Sequence, residues 1–308
     1  MATPRSLLVD NQTPLLYHLV SRCVRRAWLC GTDPDTARNY DHRKDWLEKR
    51  LQQLVRCFAV ELFGYAIMSN HFHLIVRYDP TAAQMWSDEE VADRWLICAG
   101  KAPDFASEGS NCRDVERKRL LDNPIKLARL RATLGSLSGF MKHLKQPIAV
   151  RANREDECSG HFFEGRFYSG ALLDDGAVIG ALAYVDLNPV RSNLVKQAVE
   201  ATHTSLAHRL EELAADESRL QAYLGPIASG LDCSKPGQSL TLPITLGAYL
   251  DHLTEYSRER DLPEDKRSNW YKRVALFKHR QRAFGFAENI NSWATKKGWS
   301  RIGLPCPR

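Results

Sequence analysis

The run Met68-Ser69-Asn70-His71-Phe72-His73-Leu74-Ile75-Val76 sets two imidazoles two residues apart in an apolar, β-branched stretch. A strand is the conformation such a stretch favours, and its period of two sends both rings from the same face. That is half of a metal site. Much later, Ala183-Tyr184-Val185-Asp186-Leu187-Asn188-Pro189-Val190-Arg191 closes an apolar, helix-like run. There a phenol and an amide stand four residues apart, and so on one helical face. A nucleophile lies beside a candidate third ligand.

The surrounding pattern supplies a frame for these two segments. Residues 15 to 22 predict a strand, and Asp41 to Phe58 a helix, because Leu47, Leu51, Leu54, Val55 and Phe58 recur at helical spacing. Either two strands follow, near 59 to 68 and 71 to 78 with a break at Ser69-Asn70, or one continuous strand. Residues 80 to 125 read as a polar insertion with a helix from Asp88 to Cys98. Leu127, Leu130, Leu134, Leu137, Met141, Leu144 and Ile148 step by three and four, which predicts one long helix despite Gly135, Gly139 and Pro147. Its outer face carries Arg129, Arg131, Lys142, Lys145 and Arg151, suited to a phosphate backbone or to solvent alike.

Residues 161 to 173 predict a further strand, with Phe163 and Phe167 on one side and Arg166 and Tyr168 on the other. Asp174 is a suitable N-cap for the helix that ends near Asn188-Pro189. On that helix Ala177, Gly180 and Ala181 share the face of Tyr184, either leaving space around the phenol or letting the helix pack closely. The order strand, helix, two strands, helix, strand, helix is that of an α+β domain with helices on one face of a mainly antiparallel sheet. Residues 203 to 224 read as helical, and Gly225 to Leu242 as a Gly-, Ser- and Pro-rich boundary. A domain over 1–205 and a helical, basic extension over 206–308 are expected.

Charge separates those two parts. The net +6 hides a C-terminal excess, since residues 258 to 308 hold 13 Lys/Arg against 5 Asp/Glu. Trp270, Tyr271, Phe277, Phe284, Phe286, Trp293 and Trp299 are interleaved with that charge, a mixture suited to a polyanion whose bases stack, or to the core of a small helical unit. No apolar run approaches the roughly 20 residues needed to cross a bilayer, and no export signal opens the chain. Eight cysteines without a Cys-x-x-Cys pair read as free thiols of a reducing compartment, so a cytoplasmic, nucleoid-associated protein is expected.

Four stretches in order, Tyr17 to Arg22, Gly64 to His73, Gly165 to Tyr168 and Tyr184 to Arg191, resemble the histidine-hydrophobic-histidine (HUH) single-tyrosine transposases. The likeness is to the REP-associated tyrosine transposase branch and spans roughly residues 14 to 205. It implies a ferredoxin-like βαββαβ core and an enzyme that cleaves and rejoins single-stranded or hairpin DNA through a 5′-phosphotyrosine. Tyr184 would be the nucleophile and His71, His73 and Asn188 the ligands of Mg²⁺ or Mn²⁺. Imidazole by itself suggests zinc or another transition metal, and many relatives have glutamine at the position of Asn188. Arg22, Arg166, Arg191, Lys272 and Arg273 are candidate DNA contacts, and the protein is expected as a monomer or homodimer. Tyr168 and Tyr17 are rival nucleophiles without an amide four residues on. A catalytically silent DNA- or RNA-binding regulator on the same fold is the competing function.

Overall fold

The computed structural model describes residues 4–24, 29–33, 37–100, 111–225 and 240–299. In chain order it contains α1 (Arg5–Leu8), β1 (Leu15–Arg22), α2 (His42–Val55), β2 (Val60–Ile67), β3 (His71–Tyr78), α3 (Ala82–Met85) and α4 (Asp88–Cys98). There follow α5 (Asn111–Leu121), α6 (Pro124–Leu134), α7 (Leu137–Glu155), β4 (Tyr168–Leu172), α8 (Asp175–Asp186) and α9 (Asn188–Arg191). The chain continues through α10 (Ser205–Ala215), α11 (Leu246–Glu259), α12 (Asn269–Ala275), β5 (Ala283–Phe284) and α13 (Ala287–Lys296).

The five strands form one sheet in the order β2-β3-β1-β4-β5. The first four pair antiparallel, while β5 joins β4 in parallel. β1, α2, β2, β3, α7 and β4 thus make the expected α+β, ferredoxin-like unit. Its register fixes what each face carries. Leu16, His18, Val20 and Arg22 lie opposite Arg77, Ile75, His73 and His71, so these eight side chains share one face. Tyr17, Leu19 and Ser21 lie opposite Val76, Leu74 and Phe72 and take the other.

Helices cover both of these faces. α2, α4, α6 and α7 pack on the Tyr17 face around Leu47, Leu51, Phe140, Met141 and Leu144. The expectation of helices on one face therefore holds for the two helices of the core unit. α8, α10, α11 and α12 gather on the His18 face around Leu182, Leu206, Tyr249 and Phe277. α8 approaches the sheet closely because Gly64 and Ala66 of β2 are small; a Cβ at Gly64 would sit 2.6 Å from Leu182 Cδ2. The basic C-terminal region is built into this layer and supplies the edge strand β5.

The single long helix expected over Leu127 to Ile148 is two helices. Ser136 caps α7 by accepting from Gly139 N at 3.2 Å, and Gly139 lets the Thr133 carbonyl approach to where a Cβ would lie 2.3 Å from it. The apolar stripe runs unbroken across the bend, which is why periodicity alone missed it. The strand expected over 161–173 shortens to β4, with Phe163 making only an isolated bridge to Cys23. The helical reading of 203–224 resolves into α10 and a 3₁₀ turn over Glu217–Gln221.

Cys23, Cys30, Cys57 and Cys98 are buried free thiols and Cys158 is exposed; the Cys112 side chain, Cys233 and Cys306 lie outside the described residues. Most of the expected boundary segment, 226–239, lies outside them too. Among the described residues no helix is long and apolar enough to cross a membrane.

Pro147 stays inside α7 at a local cost that α2 offsets. Proline has no N–H to pair with the carbonyl four residues earlier, and Arg50 Nε donates to that His143 carbonyl at 3.1 Å. Nη1 of the same side chain donates to the Cys98 carbonyl at 2.9 Å, tying α2, α4 and α7 together. Arg50→Leu is expected to lower unfolding free energy by about 2 kcal/mol, because it orphans two carbonyls at once. Urea denaturation followed by circular dichroism checks this; an unchanged midpoint would contradict the role given to Arg50.

Candidate functional site

On the His18 face, three imidazoles form a row. His73 is buried at 4% exposure, and its Nδ1 lies 2.8 Å from His18 Nε2, with the two rings stacked at 5.1 Å between centroids. His71 meets His73 edge to face at 4.9 Å and holds Asn70 Oδ1 with its own Nδ1 at 2.7 Å. Burial lowers the pKa of His71 to about 4, helped by the charges of Arg22 and Arg280. Burial, aided by Arg280, lowers that of His18 to about 3, and His73 is pushed well below its ordinary value by burial and then by its neighbours. All three rings are neutral at neutral pH, the state in which an imidazole can ligate a metal.

α8 and α9 bring the second half of the site. Asp174 caps α8 by accepting from Ala177 N at 2.8 Å. At the other end the buried Asp186 carboxylate accepts from Tyr249 Oη at 2.6 Å, Ser205 Oγ at 2.5 Å and Leu206 N at 3.1 Å, which binds α8 to α10 and α11. Between these anchors Tyr184 faces the sheet, 5.7 Å from His73 and 5.9 Å from His18 by ring centroids. Asn188 is buried, with Nδ2 3.2 Å from His73 Nε2, and its side chain also hydrogen-bonds Tyr184.

This arrangement fixes a tautomer. With the Asn188 amide nitrogen turned toward it, His73 Nε2 accepts, so the His73 proton sits on Nδ1 and is donated to His18 Nε2. His18 therefore acts behind His73 in the way that the partner of a metal-bound histidine does. It leaves His18 Nδ1 buried without a partner among the described residues, amid the rings of Tyr168, Tyr184 and Phe277.

The donor chemistry suits a divalent cation. His73 Nε2 presents its lone pair toward Asn188, and the Asn70 contact at His71 Nδ1 leaves Nε2 of that ring for a ligand role. Two imidazoles and an amide oxygen would be a mixed nitrogen–oxygen set, within reach of Mn²⁺ as well as zinc; here Asn188 gives His73 its amide nitrogen and turns Oδ1 to Ser192 Oγ at 3.5 Å, so the amide must rotate to ligate. A separate group of metal-capable side chains lies on α2 and the turn before α10, where His203 Nε2 is 2.9 Å from Asp45 Oδ1 and 4.0 Å from Glu48 Oε2. Glu48 there also accepts from the Tyr65 hydroxyl.

Cations surround the phenol. Arg191 lies 4.6 Å over the Tyr184 ring and donates to Tyr256 Oη at 2.8 Å, so α11 holds it in place. Burial raises the Tyr184 pKa; Arg191, the Asn188 hydrogen bond, Arg280 and Arg22 pull it part of the way back. Arg22 is exposed and Arg191 half-buried beside the phenol. Arg166 instead lines a cleft with Lys142 and Lys145. Lys272 is exposed on α12, while Arg273 lies along α8, where a Cβ at Gly176 would meet its Nη1 at 2.5 Å.

His18, Phe277 and Arg280 were not singled out from sequence as parts of this site. Phe277 packs on Tyr184 at 6.0 Å and stacks on Phe284 of β5 at 4.1 Å. Gly180 serves that packing, since a Cβ there would be 3.2 Å from Phe277 Cε2. Tyr184 consequently keeps only 9% exposure. The rival tyrosines are engaged elsewhere. Tyr168 donates to the Gln281 carbonyl, and Tyr17 is fully buried on the opposite face, accepting from Asp10 N at 2.6 Å.

No family model and no curated protein matches this chain. Among solved structures it is similar to one described as a REP-associated tyrosine transposase bound to a REP hairpin. That likeness has 13% identity and a TM-score of 0.35, covering 78% of this chain and 98% of the other. A likeness so loose carries no weight for function.

Phe277→Ala removes the ring that shields the phenol, and is expected to cost about 3 kcal/mol of stability. Nitration of Tyr184 by tetranitromethane, followed by peptide mass spectrometry, should accelerate severalfold while Tyr17 stays unmodified. An unchanged Tyr184 rate would contradict the shielding.

Proposed function

We propose that this protein cuts and rejoins single-stranded DNA at a hairpin such as a REP element, with Tyr184 as nucleophile. The carrying observation is the meeting of Tyr184, His71, His73 and Asn188 on one face of the sheet, ringed by Arg22, Arg191 and Arg280. The REP-associated resemblance in the sequence gives the substrate class. Tyr184 Oη attacks the phosphorus, the bond to the 3′-oxygen breaks, and the 5′-phosphate stays on the tyrosine. The phenolic proton passes to water and the departing 3′-oxygen takes one up. A later 3′-hydroxyl reverses the step, which is what distinguishes strand transfer from hydrolysis.

His71, His73 and Asn188 would hold Mg²⁺ or Mn²⁺, which supplies positive charge to the phosphoryl oxygens when bound. Arg191 stabilises the phenolate as it forms, since its guanidinium lies over the ring. His18 keeps the His73 lone pair on Nε2. One observation favours a second reading, a binder without turnover: the C-terminal segment covers the phenol down to 9% exposure.

Incubation with a labelled REP-like hairpin and Mn²⁺ is expected to give an adduct that survives SDS. Tyr184→Phe should abolish it and leave hairpin binding intact; an adduct that persists in that variant refutes the assignment. Hairpin binding without any adduct, across several divalent metals, would favour the binder.

His18→Gln is expected to weaken Mn²⁺ binding by about 10- to 100-fold, read by electron paramagnetic resonance titration, with an unchanged circular dichroism spectrum. Unchanged affinity would remove His18 from the site. Arg191→Met removes the first of the influences that lower the phenol's pKa, so less phenolate forms at a given pH. The rise of the adduct rate with pH should shift to higher pH; an unshifted profile contradicts this role for Arg191.

A further inference from the structure

A cleft of about 580 Å³ opens between α7 and the loop leading into β4, within the range of small-ligand sites. Met141, Phe162 and Phe167 give it an apolar floor, and Lys142, Lys145 and Arg166 stand around it. Among its described lining residues Glu164 is the one carboxylate.

Two features distinguish it from an ordinary solvated basic face. Arg5 donates to Ser169 Oγ and to the Phe167 carbonyl, each at 2.8 Å, and lies 3.8 Å over the Phe167 ring, which fixes one wall. Its pKa falls to about 10 through burial and then through the charge of Arg166, so two cations are held close together. Lys145 is half-buried, with Nζ 3.4 Å from the carbonyls of Glu164 and Gly165, and burial lowers its pKa as well. Positive charge concentrated beside an apolar floor attracts an anion that also carries an apolar plane.

The cleft lies on the Tyr17 side of the sheet, opposite His71 and His73, and reaches the end of β1 nearest them. Glu164 N donates to the Arg22 carbonyl at 2.8 Å, and Arg22 is paired with His71 across β1 and β3. Past Phe167 the same loop delivers Tyr168, whose ring is 5.9 Å from that of His18. A strand running over this end of the sheet would pass from one to the other.

We infer that this cleft holds an unpaired nucleotide of a single-stranded DNA segment, its phosphate on Lys142, Lys145 and Arg166 and its base on the apolar floor. The ligand class rests on the proposed DNA-cleaving function. A duplex, whose bases are paired and stacked inside, has none to offer this floor. A free nucleotide has the same chemistry, and the test separates it from a strand.

The test measures fluorescence anisotropy of a labelled oligothymidylate, titrated with wild-type protein and with the double variant Lys142→Gln/Lys145→Gln at several salt concentrations. The variant is expected to bind about tenfold more weakly at low salt, with the slope of log affinity against log salt shallower by about 0.7, for one lost phosphate contact on a single strand. Affinity for a blunt duplex should not change, and thymidine monophosphate should not displace the oligonucleotide at comparable concentration.

An unchanged slope, an equal loss on duplex, displacement by the mononucleotide, or no binding of the oligonucleotide by wild type would each overturn the inference. The hairpin adduct assay keeps the two proposals apart. An adduct formed while the variant's slope is unchanged refutes the cleft and leaves Tyr184 standing. A shifted slope in a protein that never forms an adduct refutes Tyr184 and leaves the cleft.

Discussion

The antiparallel pairing of β1 with β3 is the constraint on which everything else depends. It places Val20 against His73 and Arg22 against His71, so that His18, His71, His73 and Arg22 share a face. Strand side chains alternate, and a slip of one residue would send this polar set into the layer of Leu47 and Phe140. Tyr17, Leu19, Phe72 and Leu74, all buried to 0%, hold the register from the other side.

Given that register, the position of Tyr184 follows from small residues and from one buried carboxylate. Gly64 and Ala66 let α8 settle on β2, and Gly180 lets Phe277 settle on α8. Asp186 then fixes the end of α8 through Tyr249, Ser205 and Leu206. Burial pushes its pKa up, and Arg209 with these three donors works against that. A buried acid stays affordable only when its oxygens are satisfied. The C-terminal helices are therefore part of how the site is held: α11 carries Tyr249 to Asp186 and Tyr256 to Arg191.

The sequence made the strands legible because each has a strong pattern of its own. β1 and β3 occur where expected, and the break at Ser69-Asn70 separates β2 from β3. Helix α4 matches its expected span, and Asp174 is the cap it was read as. Less was legible where distant segments decide. The bend between α6 and α7 depends on a capping serine and a glycine against a carbonyl, and neither disturbs the leucine spacing. His18 precedes His73 by 55 residues, and only the pairing of their strands reveals the contact. It lies within the Tyr17 to Arg22 stretch, where alternation places it only on the face of Arg22. The excess charge after residue 258 suggests a nucleic-acid grip, and Lys272, Arg273 and Arg280 are exposed there, while Phe277 turns inward onto Tyr184. Charge counts carry no information on which side chains turn inward.

The central claim is that the register gathers His71, His73 and Asn188 into one metal site beside Tyr184. Electron spin-echo modulation of the Mn²⁺-loaded protein tests it most directly, because it counts the nitrogens bound to the ion. The account predicts two histidine nitrogens, reduced to one by either His71→Gln or His73→Gln and unaffected by His203→Gln. A spectrum without nitrogen coupling, or one lost only with His203→Gln, would place the ion at Asp45 and Glu48 and contradict the account.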